Sequence, residues 1–173
     1  MCIRRRIILP ASAFRDDRVR KDREMIDAER LRIRVASDAE MRELIAAEPT
    51  EEMKAAYGEM LDGALAHPNQ RQWYAVWFIH LKDGERIGDL CFKGVSPEGS
   101  TEIGYGIQPE FWGKGYATEA VGAAVKWALT QPGIGMVEAE TDAGNLASQR
   151  VLEKIGFKAT GKMGEEGPRF VFG

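Results

Sequence analysis

Apolar and charged residues alternate through Leu31-Arg32-Ile33-Arg34-Val35, the two-residue period of a strand with one buried face. Ser37-Asp38-Ala39-Glu40 is a capping-box opening for a helix to about Ala47, since a serine and a glutamate three apart satisfy each other's free backbone amides. After the Pro49-Thr50 break, Met53, Ala56, Tyr57, Met60, Leu61 and Leu65 recur at helical spacing and predict a second helix. Trp73 to Leu81 and Arg86 to Lys93 are strand-like runs joined by Lys82-Asp83-Gly84-Glu85, hence a hairpin, and Thr101 to Ile107 extends it to a meander.

Beyond that point the period changes. Ala117, Ala120, Val121, Ala124 and Ala128 share one helical face as far as Gln131-Pro132-Gly133. Val137 to Thr141 reads as a short strand, and Asn145 caps a helix through Lys154 that stops at Gly156. Lys158 to Lys162 and Arg169 to Phe172 read as two final strands. The order βααβββαβαββ predicts a mixed α/β fold. Phe170 to Phe172 is simplest as a last core strand, with pairing across a homodimer as the alternative.

A chain of 173 residues with net charge −3 can bury one sizeable core, and no Pro/Gly/Ser-rich linker divides it. Charge is uneven: residues 1–29 form a basic N-terminal extension ahead of an acidic domain over 30–173. Asp16, Asp17, Asp22, Glu24 and Asp27 interrupt the basic run and Phe14 is its one aromatic residue, a pattern that disfavours nucleic-acid binding. Cys2 and Cys91 make no disulfide framework, and with His67 and His80 as the only histidines no metal site is expected. No segment reaches membrane-spanning length or forms a signal core, so a cytoplasmic location without a membrane partner is the expectation.

The run from Gly104 to Ala120 carries the chemistry: a strand breaks into Phe111-Trp112-Gly113-Lys114-Gly115-Tyr116-Ala117 and then into a helix. Glycines there let a ligand approach the backbone, and the free amides opening the helix favour an anion. The P-loop and dinucleotide fingerprints fail on spacing: Gln108 stands where a P-loop needs its first glycine, Gly115 follows Gly113-Lys114, and Thr118 replaces a third glycine. A second signature, Asn145-x-x-Ser148 followed by Glu153-Lys154-Ile155-Gly156-Phe157, lies about thirty residues on.

Together the two motifs resemble the GNAT family of acetyl-CoA-dependent N-acetyltransferases, and the wording around Gly113 resembles its branch of ribosomal-protein N-terminal acetyltransferases. The resemblance spans roughly Leu31 to the C-terminus. It implies a mostly antiparallel sheet of about six to seven strands, splayed between the fourth and fifth core strands and flanked by about four helices. It also implies acetyl-CoA as cosubstrate and direct attack of an amine on the thioester. Backbone groups of Tyr105, Ile107 and Gln108 would hold the pantetheine; Trp112, Gly113, Lys114, Gly115, Tyr116, Ala117 and Thr118 would hold the pyrophosphate; Asn145 and Ser148 would complete the cofactor site. The chain departs from the family pattern twice: Glu110 stands where the loop begins with Gln or Arg, and Leu152 where many members carry a tyrosine acid.

Ser148, one turn before Leu152, is then the candidate proton donor to the leaving thiolate, although a serine three residues after an N-cap Asn also serves as local backbone partner. Glu102 and Asp89 are the candidate bases. Glu102 shares a strand face with Gly104 and Gly106, whereas Tyr105 and Ile107 point the other way, so only one set faces the acceptor. Freeing the neutral amine at pH 7 costs about 1.4 kcal/mol for an α-amine and about 4.6 kcal/mol for a lysine, so a weak base suits a low-pKa amine. The expected acceptor is a primary amine, either a protein N-terminal α-amine or a small amine, and this cost does not choose between them. The alternative is a non-catalytic acetyl-CoA-binding sensor or interaction module of the same fold, which Leu152 and Glu110 keep open.

Overall fold

A computed structural model of the protein describes residues 24–173. Strands β1 (Met25–Asp27) and β2 (Leu31–Val35) form a hairpin; helices α1 (Asp38–Ala47) and α2 (Glu51–Ala66) follow; β3 (Val76–Leu81), β4 (Arg86–Phe92) and β5 (Ser100–Ile107) form the meander. Helix α3 (Tyr116–Thr130), β6 (Met136–Glu140), α4 (Leu146–Ile155), β7 (Lys158–Met163) and β8 (Pro168–Phe172) complete the described residues. The strands make one sheet in the order β1-β2-β3-β4-β5-β6-β8-β7. Every neighbouring pair is antiparallel except β5 and β6.

The expected elements are present, with one added strand and one shortened one: the strand expected from Trp73 begins at Val76, because Arg71–Trp73 closes into a short 3-10 turn. β1 pairs Met25, Ile26 and Asp27 with Arg34, Ile33 and Arg32, and buries Ile26. The boundary expected at residue 30 therefore falls inside a hairpin of the folded domain. Three residues flanked by charge carry no periodicity of their own; the strand exists because β2 offers it an edge. The remainder of the expected basic extension, residues 1–23, lies outside the described residues. β8 sits between β6 and β7 with Phe170 buried, an interior strand of the sheet.

Alternation sorts the sheet into two faces. Leu31, Ile33 and Val35 lie opposite Leu81, Ile79 and Trp77, on the face that meets α3. The small residues Ala120, Ala124 and Ala128, with Val121 and Val125, are buried on that helix, and its Trp127 packs 4.8 Å from Trp77 and 5.7 Å from Phe92. α4 lies beside α3 on the same face, its Ile155 next to Gly122. On the other face α2 stands over β3, β4 and β5. Ser37 caps α1 as the pattern requires: its side chain accepts from the Glu40 amide while Glu40 accepts from the Ser37 amide. Asn145 caps α4, and Gly156 ends it at φ 110°, a left-handed conformation that favours glycine. Among the described residues no helix is long and apolar enough to cross a membrane, and no cluster of potential metal ligands occurs.

Candidate active site

The parallel ladder between β5 and β6 covers three residue pairs, Ser100 to Glu102 against Met136 to Glu138. β5 then runs on to Ile107 beside β4 alone, so the sheet opens into a cleft between its fourth and fifth core strands. The Lys93 amide donates to the Glu102 carbonyl at 2.9 Å, and the Gln108 amide to the Ile87 carbonyl at 2.8 Å. Because antiparallel bonding alternates, the even-numbered residues of β5 face β4, and Tyr105 and Ile107 turn their peptide groups toward the cleft. The Gln108 amide, expected to serve a ligand, is thus committed to β4. The Ile107 carbonyl accepts from the Trp112 indole at 2.6 Å, which leaves the Tyr105 peptide and the Ile107 amide as the edge groups of the cleft.

At the end of β5 the chain turns through Gly113 and Gly115, at φ 73° and 80°. Only glycine takes such angles without strain. α3 begins directly after them, and its first backbone bond is Glu119 to Gly115. The amides of Tyr116, Ala117 and Thr118 therefore have no acceptor within the helix and point out of its positive end. A Cβ on Gly113 would meet open space. Lys114 folds back, its Nζ 3.1 Å from the Glu110 carbonyl and 5.2 Å from the Phe111 ring centroid. Arg30, from the β1–β2 turn, reaches the loop instead: Nε lies 2.7 Å from Glu119 and Nη1 donates to the Lys114 carbonyl at 3.0 Å. This donor set fits a diphosphate, and the open strand edge fits an amide-bearing chain such as pantetheine.

On the α4 side, the Asn145 side-chain oxygen accepts from the Ser148 amide at 3.1 Å. The Ser148 hydroxyl lies 2.8 Å from the Tyr105 hydroxyl, which also donates to the Ser148 carbonyl at 3.3 Å. Burial pushes the Tyr105 phenol above its usual range, so it keeps its proton. Leu152, at the position of the usual acid, is fully buried in the core. The Tyr105 side chain is thus an additional proton-bearing group of the site, considered from sequence only for its backbone. The signal was its parity: facing away from Gly104 and Gly106, it had to point toward the α3 and α4 side.

On the α2 side a cavity of about 460 Å³ lies between that helix and the sheet. Met53, Ala56, Tyr57 and Met60 form its roof; Gly104 and Gly106 leave its floor free of side chains, next to Cys91 and Asp89. Burial raises the Asp89 carboxyl above its usual range against the lowering effect of Arg86, 3.2 Å away. It also pushes the Cys91 thiol up to about 11 and Tyr57 up to about 12, so both stay neutral. Glu102 is placed differently. It binds Lys93 at 2.5 Å and Arg169 at 3.1 Å, and Arg169 also holds Glu138 and Glu140 at 2.8 and 2.9 Å. Of the two candidate bases, Asp89 lies on the cavity and Glu102 in an ion-pair cluster across the root of the cleft.

A model of the acetyltransferase (GNAT) domain matches residues 19–158. The chain belongs to the GNAT family of N-acetyltransferases. Acetyl-CoA is the cosubstrate of these enzymes. The chain is similar to the uncharacterized N-acetyltransferase YjdG of Bacillus subtilis, 34% identical over 103 residues that make up 58% of this chain and 61% of that one. Among solved structures it resembles RimL, a ribosomal L7/L12 alpha-N-protein acetyltransferase in complex with coenzyme A, with a TM-score of 0.68 at 18% identity, covering 86% of this chain and 97% of that one. It equally resembles the spermidine N-acetyltransferase of Vibrio cholerae in complex with CoA and spermine, with a TM-score of 0.65 at 18% identity, covering 83% and 95%. At these identities the two structures establish the shared fold.

Proposed function

We propose that the protein acetylates a small primary amine that enters the cavity beneath α2 with an apolar body against Met53, Tyr57 and Met60. The observation that carries this reading is the pairing of two chemically different faces at one point of β5. Tyr105 turns its hydroxyl to Ser148 on one side, while Gly104 and Gly106 open the other onto Asp89 and an apolar cavity. About 460 Å³ lies within the range of small-molecule sites. Protein N-termini and polyamines are the acceptors of the two solved relatives. Glu52, Glu59 and Glu166 also line the chamber, but its largely apolar surface with Asp89 on the floor favours a compact monoamine over either.

Bound acetyl-CoA supplies an activated acetyl thioester. Asp89, directly or through one water, accepts the proton of the entering ammonium so that the neutral nitrogen can attack. The Ile107 amide at the cleft edge donates to the carbonyl oxygen as charge grows on it. Ser148, backed by the Tyr105 hydroxyl, gives a proton to the departing sulfur. The new bond is nitrogen to acetyl carbon and the broken one is carbon to sulfur. Asp89 takes the first proton of the ammonium. The second leaves the nitrogen as the tetrahedral intermediate collapses and passes through water to replace the proton that the serine–tyrosine pair gives to sulfur.

The test is coenzyme A release on a panel of aliphatic and aromatic monoamines, spermidine and short peptides. Monoamines are expected to give the highest kcat/KM. Preference for spermidine or a peptide would overturn the acceptor assignment, and acetyl-CoA binding without release on any amine would favour the sensor.

A further inference from the structure

Arg30 is held on three sides. Its backbone amide and Nε each lie 2.7 Å from a different oxygen of Glu119, Nη1 donates to the Lys114 carbonyl at 3.0 Å, and its guanidinium carbon lies 4.6 Å from the centre of the Tyr116 ring. One nitrogen is left over. Nη2 has no acceptor among the described residues, and it lies 3.5 Å from where a Cβ on Gly115 would be, beside the turn that opens α3. The side chain as a whole is 46% exposed.

The helix alone does not account for this placement. A cation at a helix N-terminus opposes the macrodipole, which favours negative charge there. Glu119 in the first turn already complements that end, and it orients the guanidinium while partly compensating it. The loop has no other side-chain cation aimed at the opening of α3, because Lys114 is turned back on Glu110 and Phe111. Glu110 itself, at the position where the family carries Gln or Arg, brings a carboxylate.

We infer that Arg30 is a cofactor-binding residue, its free Nη2 donating to the pyrophosphate of acetyl-CoA beside Gly115 and supplying from the β1–β2 turn the charge that the loop lacks. Arginine suits the task, since its planar fork can grip a carboxylate and a loop carbonyl with two nitrogens and present the third to phosphate oxygen. The inference rests on the cofactor of the family and not on the choice of acceptor, so an error in one leaves the other standing.

The experiment is calorimetric titration of the protein, Arg30→Gln and Arg30→Lys with coenzyme A, with 3′-dephospho-coenzyme A and with pantetheine. Arg30→Gln should bind the first two about tenfold more weakly, the size of one charge-assisted hydrogen bond. Arg30→Lys should fall between, and pantetheine, which has no phosphate, should bind all three proteins alike. Unchanged affinity for coenzyme A would overturn the assignment. So would a loss that extends equally to pantetheine, which would make Arg30 a support of the loop's shape, or a loss confined to the 3′-phosphorylated form, which would place Nη2 on the other phosphate.

Discussion

The hydroxyls of Tyr105 and Ser148 lie 2.8 Å apart, joining residues 43 positions distant across the mouth of the cleft. A half-buried phenol that keeps its proton holds the serine hydroxyl in one orientation and can refill it. Tyr105→Phe and Ser148→Ala are each expected to lower kcat by about ten- to a hundredfold, the low end for a proton donor because a thiolate leaves readily. The double variant should lose much less than the product of the two, as groups acting as a unit do. Coenzyme A affinity, measured by calorimetry, should stay within twofold. The Tyr105 phenol is raised from a reference of 10.0, so kcat should show no falling limb below pH 10.

Asp89 carries the opposite expectation at low pH. A base acts when ionised, and burial raises this carboxyl from 3.8. Activity should therefore fall as pH drops through a value above 3.8, and Asp89→Asn should remove that limb along with most of kcat/KM. The sign for stability is reversed. A raised carboxyl favours the folded state when protonated, a contribution present below 3.8 and lost as pH rises through the raised value. Urea denaturation at pH 7 should accordingly show Asp89→Asn no less stable than the parent.

Local chemistry was readable from the sequence wherever neighbours in the chain decide the structure. Ser37 and Glu40, Asn145 and Gly156, and Gly113 with Gly115 all act within a turn of their own positions, and each stands where its pattern placed it. Parity along β5 separated Tyr105 from Gly106 correctly. What could not be read was made by contacts distant in sequence. Arg30 meets Glu119 across 89 positions and Arg169 meets Glu102 across 67. No periodicity encodes which residue of a hairpin turn will touch a helix three strands later. β1 was invisible for the same reason, having no pattern apart from its partner.

The Arg34–Glu40 pair gives a test of the scaffold independent of catalysis. Glu40 accepts from Arg34, from the Ser37 amide and from the Ser37 hydroxyl, which hold its carboxyl down from 4.5 to about 2. A depressed carboxyl contributes stability above its unfolded value and loses it as pH falls through the folded one. Glu40→Gln should cost about 1 kcal/mol at pH 7, modest because the pair is partly exposed and screened by solvent. In urea melts the gap from the parent should narrow steadily between pH 4.5 and pH 3.

Gly106 pairs with Asp89 and Gly88 with Ile107, so the two glycines sit one register step apart on opposite faces of β4 and β5, and the space around them differs. A Cβ at Gly106 would meet nothing within 4 Å, because it would enter the cavity. At Gly88 it would lie 2.2 Å from the Gly106 carbonyl oxygen and 3.1 Å from the Ile107 Cα, backbone atoms that cannot step aside. Gly106→Val should therefore fold with an unchanged or higher melting temperature, since a β-branched residue suits a strand. It should bind coenzyme A as the parent does and raise KM for the amine at least tenfold by filling the chamber. Gly88→Ala should instead lower stability by about 1–3 kcal/mol, the cost of overpacking, and weaken binding on both sides of the sheet, because the strand that must move carries the cleft edge at Ile107. If Gly106→Val left the KM of every accepted amine unchanged, the acceptor would have to approach by a route other than the cavity beneath α2.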